Sequence, residues 1–354
     1  MNIKIKLSLI IVILFFFSCH QKSKLENNIS LSPDAGTSYK AGEIVSLKVS
    51  SPDQSKPDSI VYMVDSVKVG ILKKSSTLSL RTDSMQLGVR IITAKFYIKG
   101  TMQETSTNIV LLAAKPPEQM TYKILRVYPH DTTAYTEGLL YQDGFLYEST
   151  GDTGHSTLRK VDVTTGRVVK IKKLDPKYFG EGISIVGNKI VMLTYKQPEK
   201  AFVFDKNTFN LLSTFDNNVG DEGWGMTFDG KKLYFDDRTN RIWFLDKDNY
   251  RQIGFIDVYT DKAPVDSVNE LEYINGKLYS NIYQKENIII INPKTGAVLQ
   301  SVDMKDLWPL SKRPTYFDNS ENVLNGIAWD EKGKRLFVTG KKWPHLYQVE
   351  FVKK

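Results

Sequence analysis

The sequence predicts an all-β protein: a five-bladed β-propeller preceded by a small β-sandwich of immunoglobulin type. Three observations carry this expectation. A short glycine turn followed by a hydrophobic strand recurs at Gly144, Gly187, Gly230, Gly276 and Gly333, at spacings of 43, 43, 46 and 57 residues. A second element, a strand running into a tight Asp or Asn turn, centres on Asp162, Asp205, Asp246 and Asn292, at intervals of 43, 41 and 46. Repeats of roughly 40–50 residues built from short strands mark propeller blades. The third observation is apolar–polar alternation over residues 29–115 without that repeat, the pattern of half-buried strands in a sandwich.

In chain order, residues 1–18 read as a signal peptide of lipoprotein type. Lys4 and Lys6 precede an apolar run from Leu7 to Phe17, which is too short to span a bilayer but suits the apolar region of an export signal. Ser18 then precedes Cys19, the single cysteine of the chain, so no internal disulfide is open to it. A lone thiol at that place resembles the bacterial lipobox. It predicts lipidation of Cys19 and attachment to a bacterial membrane on its periplasmic or cell-surface side. Phe16 stands where that motif usually has Leu, and plain secretion is the other reading. Residues 19–28 are polar and read as a tether.

The sandwich is expected over 29–115, with strands in 44–50, 59–64, 90–98 and 108–112 separated by turn-rich stretches. Nothing in it clusters histidines or acids, so its expected role is spacing or docking. Lys115 to Gln119, with two prolines, reads as a linker. The propeller is expected over 121–354, about 47 residues per blade. Its last copy meets the C-terminus one strand short. The segment around Lys123–Tyr128 is the expected donor of that strand, closing the ring and removing exposed edges.

The formal net charge is +8, with Lys and Arg interleaved among acids. That is a solvated mixed-charge surface, not a nucleic-acid footprint. The histidines His20, His130, His155 and His345 share no ligand-like spacing, which argues against a zinc site. There is no nucleophile elbow and no phosphate loop.

Five segments stand apart from the repetitive strands: Tyr135-Thr-Glu-Gly-Leu, Phe179-Gly-Glu-Gly-Ile, Asp221-Glu-Gly-Trp-Gly-Met, Asn269-Glu-Leu-Glu-Tyr and Leu324-Asn-Gly-Ile-Ala-Trp. Each begins what should be the innermost strand of a blade, so their side chains should converge at one mouth of the channel. Some of these carboxylates should bind neighbouring backbone N–H groups and hold blades together. Gathered beside tryptophan, at least one should have a raised pKa and serve as a general acid or base.

Together with Tyr147-Glu-Ser-Thr-Gly and Thr339-Gly-Lys-Lys-Trp-Pro, these segments resemble the plant-type glutaminyl cyclotransferases, also found in bacteria, over about 121–354. The resemblance implies a five-bladed propeller that converts the N-terminal Gln of a peptide or protein to pyroglutamate, releasing ammonia, without a catalytic metal. It implies Glu181 as the proton-shuttling residue. It also implies Tyr135, Glu137, Tyr195, Trp224, Asn269, Tyr283 and Lys341 as substrate-binding positions. A monomer is expected. Three positions depart from the family: Glu137 replaces Gln, and Tyr195 and Tyr283 replace Trp. His130, Trp243 and Trp329 are expected to be structural, and Trp343 to pack or to reach the pocket rim. No cofactor is expected; a structural calcium in a loop is left open. Two other readings stay open: a metal-dependent, lactonase-like propeller hydrolase using Glu137, Glu181, Glu222 and Asn269, and a non-catalytic surface binding propeller.

Overall fold

The computed structural model describes residues 29–50, 57–73, 77–98, 100–195 and 200–354. The expected signal peptide 1–18, the tether 19–28 with Cys19, and His20 lie outside the described residues. The architecture is all-β, with one short 3₁₀ turn at Leu310–Lys312 among the described residues.

Eight strands form the first unit. β1 (Ser30–Ser32), β3 (Ile44–Ser50) and β6 (Thr77–Arg81) make one sheet. β2 (Thr37–Lys40), β8 (Thr101–Leu112), β7 (Gly88–Ile98), β4 (Ser59–Val64) and β5 (Val67–Lys73) make the other, in that order. The alternation seen in the sequence puts Val45, Leu47, Ile60, Tyr62, Ile92, Ala94 and Phe96 between the sheets.

Twenty strands follow. β9 (Glu118–Pro129) starts inside the stretch that the sequence reads as linker: Glu118 and Gln119 already pair with β25. The blades are four-stranded meanders. The first is β10 (Thr136–Gln142), β11 (Phe145–Thr150), β12 (Thr157–Asp162) and β13 (Val168–Lys173). The second is β14 (Phe179–Val186), β15 (Lys189–Tyr195), β16 (Lys200–Asp205) and β17 (Leu211–Asp216). The third is β18 (Met226–Phe228), β19 (Lys232–Asp236), β20 (Arg241–Asp246) and β21 (Gln252–Asp257). The fourth is β22 (Val268–Ile274), β23 (Lys277–Ile282), β24 (Asn287–Ile291) and β25 (Val298–Asp303). The fifth is β26 (Leu324–Asp330), β27 (Arg335–Gly340) and β28 (His345–Lys353), with β9 as its outer strand.

The glycine turns join the two inner strands of each blade. At Asp143–Gly144 and Asn275–Gly276 both turn residues have positive φ, the two-residue hairpin geometry that matches strand twist. The Asp and Asn turns join the two outer strands. There Asp162 accepts from Thr165 N–H and O–H, and Asp205 does the same for Thr208.

Closure is a long antiparallel pairing of β9 with β28, from His345 opposite Pro129 to Lys353 opposite Met120. Phe337 sits at the seam between the last and first blades. It is fully buried, stacked on Tyr141 at 5.7 Å and edge-on to Tyr128 at 5.9 Å. The sandwich is joined to the outer side of the third and fourth blades. Arg90 bonds Asp65 at 3.0 Å and approaches Asp257 at 3.8 Å, Leu87 N–H donates to Thr295 O, and Ala113 N–H donates to Thr260 O. Leu87, Leu111, Ala113 and Tyr259 bury a small apolar cluster there.

Truncating Phe337 to Ala removes a ring that both seam blades pack against. A loss of about 3–5 kcal/mol is expected, read as a lower denaturant midpoint at unchanged slope. A variant within about 1 kcal/mol of the parent would contradict the seam role.

Candidate active site

The inner strands crowd the axis so tightly that side chains are excluded from part of their length. A Cβ on Gly182 would lie 2.4 Å from Trp224 O, and one on Gly225 would lie 2.5 Å from Asn269 O. This is the physical reason for the repeated Glu-Gly and Trp-Gly pairs. In the fourth slot Glu270 stands where the others carry glycine, and its carboxylate accepts from Leu139 N–H (3.1 Å) and Ile327 N–H (2.8 Å), pinning the first and fifth blades together. In four blades the register of the inner strand breaks at this point: between Thr136 and Gly138, Gly180 and Ile183, Val268 and Leu271, and Leu324 and Ile327. Such bulges re-aim side chains out of simple alternation. In the third blade β18 starts only at Met226, and Trp224 precedes it.

The outcome is a cavity of about 710 Å³ at one mouth of the channel. All eight positions expected from the resemblance line it: Tyr135, Glu137, Glu181, Tyr195, Trp224, Asn269, Tyr283 and Lys341. Phe179, Arg238, Thr239, Asp266, Ser267 and Glu321 complete the lining. Of these, Phe179 belongs to the Phe-Gly-Glu-Gly segment that carries Glu181. The others lie in loops that carry no repeat, so no periodic signal marked them.

The aromatic wall is made of two groups of rings. Phe179 meets Tyr135 at 6.1 Å and Tyr195 at 5.7 Å, both edge-on, and Trp224 meets Tyr283 at 5.4 Å. Tyrosine at 195 and 283 therefore keeps the wall that tryptophan is expected to supply, and adds hydroxyls. Tyr135 donates to Glu321 at 3.0 Å. Trp224 donates its indole N–H to Glu222 at 3.0 Å, so Glu222 supports the ring from behind and does not line the cavity.

Glu181 is 4% exposed, and among the described residues its carboxylate has no hydrogen-bond partner. Burial, then the charge of Glu137, raises its pKa well above the ordinary carboxylate range, while Lys341 pulls the other way. Glu137 is also buried and raised, first by desolvation. The Lys341 ammonium contacts both of its oxygens at 2.8 Å, and Asn325 donates to it at 3.3 Å. Glutamate in place of glutamine at 137 thus turns a polar contact into a bidentate ion pair. Lys341 also lies over the Tyr135 ring at 4.5 Å and the Tyr283 ring at 5.3 Å. Asn269 presents a side chain whose Oδ1 is buried without a partner.

Other polar residues of the motifs are structural. His130 contacts Trp343 O at 2.7 Å and Glu148 at 2.9 Å. Burial disfavours its charge, but the Glu148 carboxylate outweighs this and raises the imidazole. Trp343 is buried in the core, packs on Trp308 at 5.3 Å, and does not line the cavity. Trp243 packs on Phe255 and donates to Asp237. Trp329, with Glu272, lines a second cavity of about 700 Å³ at the opposite mouth. Among the described residues no three His, Cys, Asp or Glu side chains are grouped so as to hold a metal ion.

Residues 92–351 match the family model described as glutamine cyclotransferase. The chain is similar to a glutaminyl-peptide cyclotransferase of Arabidopsis thaliana, 36% identical over 229 residues, covering 64% of this chain and 70% of that protein. It is also similar to the crystal structure of Myxococcus xanthus glutaminyl cyclase, with a TM-score of 0.61 and 32% identity, covering 66% of this chain and 98% of that one.

Burial pushes Glu270 well above its ordinary value and Glu272 up to about 8. An acid whose folded pKa is raised contributes stability that is fully present below its unfolded value and is lost as pH rises toward the folded one. The denaturant midpoint should therefore fall between about pH 5 and about pH 8, and Glu272→Gln should flatten that fall. An unchanged pH slope in the variant would remove Glu272 from the account.

Proposed function

The chain belongs to the glutamine cyclotransferase family, and from that premise we infer that it is a glutaminyl-peptide cyclotransferase. It converts the N-terminal glutamine of a peptide or protein to pyroglutamate with release of ammonia. The observation that carries the reading beyond family membership is Glu181: a buried carboxylate, without a hydrogen-bond partner among the described residues, inside a cavity walled by Phe179, Tyr195, Trp224 and Tyr283.

The chemistry asks for such a group. The substrate's α-amine attacks the carboxamide carbon of its own side chain, a new N–C bond closes the five-membered ring, and the bond to the amide nitrogen breaks. The amine loses a proton and the departing nitrogen gains one. A single carboxylate between the two nitrogens takes the first proton and delivers the second, so none is left over. A pKa raised by burial above the ordinary carboxylate range suits both halves of that transfer. The aromatic walls hold the flexible side chain folded for ring closure. Asn269 is well disposed to orient the substrate amide, and Lys341, held by Glu137, supplies fixed positive charge near the developing oxyanion. The protein's own residues carry every proton in this scheme, so activity is expected to survive strong chelation.

The test is incubation with a Gln-initiated peptide, followed by mass spectrometry for loss of one ammonia. Glu181→Gln is nearly isosteric and should lower kcat by about 10²–10⁴ at unchanged thermal stability. Parental rates in that variant would overturn the assignment, as would abolition of activity by chelator.

The cellular setting follows from the N-terminal sequence. The protein is exported and held on a bacterial membrane through lipidated Cys19, acting on proteins outside the cytoplasm. Cys19→Ala should move the protein from the membrane fraction to the soluble one; retention on membranes would refute the anchor.

A further inference from the structure

A peptide whose first residue is sealed in the Glu181 cavity must leave it through the mouth, and the structure offers a path. A groove of about 320 Å³ adjoins the cavity and shares Tyr135, Phe179 and Glu321 with it. Its remaining wall includes Asp152, Asp318 and Lys342. Asp152 comes from the loop between β11 and β12, and Lys342 from the turn after β27. Asp318 and Glu321 belong to the connection between β25 and β26, which accounts for the long 57-residue spacing between the last two glycine turns.

That connection is built as a wall. The Arg313 guanidinium, largely buried, bonds Trp308 O at 2.9 Å, Asn319 at 3.2 Å, and Glu286. The Trp343 indole donates to Asn322 O at 2.9 Å. Asp318 accepts from Ser320 O–H at 2.6 Å and Ser320 N–H at 3.0 Å, which hold it below the ordinary carboxylate range and charged. Lys342, the one ammonium lining the groove among the described residues, already faces Asp152 at 3.4 Å. Three carboxylates against one engaged cation leave a negative exit path.

We propose that this groove is the subsite for the residues that follow the N-terminal glutamine, and that it selects substrates with lysine or arginine at the second or third position over those with acidic residues there. The cavity's continuity makes it a subsite; its charge sets the preference. The inference rests on the cyclotransferase reading above.

The test compares kcat/KM for Gln-Ala-Ala-amide, Gln-Lys-Ala-amide, Gln-Ala-Lys-amide and Gln-Glu-Ala-amide. At least one lysine peptide should exceed the alanine peptide by about five- to tenfold, mostly through KM, with the glutamate peptide poorest. The preference should shrink as salt rises. Asp152→Asn combined with Asp318→Asn should bring the lysine-to-alanine ratio close to one. Turnover of all four peptides at equal efficiency, or a lysine preference that survives both salt and the double substitution, overturns the subsite while leaving the cyclotransferase reading intact. Ammonia released from none of the peptides overturns both.

Discussion

The close approach of five inner strands around one axis is the constraint from which the rest of this molecule follows. Gly182 and Gly225 pack so closely onto the backbone of the next blade that neither position has room for a side chain. The strands answer with a break in register, and the break turns the neighbouring side chain toward the mouth of the channel. Glu137, Glu181 and Trp224 each precede a glycine pressed against neighbouring backbone, Asn269 precedes the inter-blade tie Glu270, and the four meet in one cavity.

The same crowding sets the electrostatics. Carboxylates brought to the centre of a ring of strands lose water, and desolvation is the leading reason that Glu181, Glu270, Glu272 and Asp236 are all raised. Among the described residues Asp236 has no hydrogen-bond partner for either oxygen but does not line the cavity, and hydrogen bonding separates the others. Glu270 and Glu272 accept backbone N–H groups of neighbouring blades and so act as ties. Glu137 is neutralised by Lys341. Of the cavity's buried carboxylates, Glu181 has neither among the described residues, and a buried carboxylate with open lone pairs is the group that proton transfer needs.

A ring of blades also needs its ends joined. β9 supplies the outer strand of the last blade from the opposite end of the propeller sequence, so the cavity is held by a closed circle. The junction with the sandwich adds an apolar cluster and the buried Arg90 on the outer side of the third and fourth blades. Its docking partners include Thr295, in the Asn292 copy of the repeated turn, and Thr260, just beyond the outer strand of the third blade.

Sequence alone determined the all-β class, the five blades and the cluster of residues at one mouth, because each is written in local terms. Glycine turns demand positive φ, Asp and Asn turns demand a side chain that binds its own backbone, and the motifs recur at blade spacing. Only the tertiary structure sorted the motif acids. Glu181 and Glu270 are the same residue type, both flagged by repeats, and they part company because Leu139 and Ile327 reach one and no backbone N–H reaches the other. It likewise assigned Trp343 to packing and Glu222 to the support of Trp224. It also brought Glu321 and Arg238 to the cavity from loops outside the repeat. Contacts across the ring axis join residues from different blades, and no pattern along the chain encodes which of them arrive with a partner.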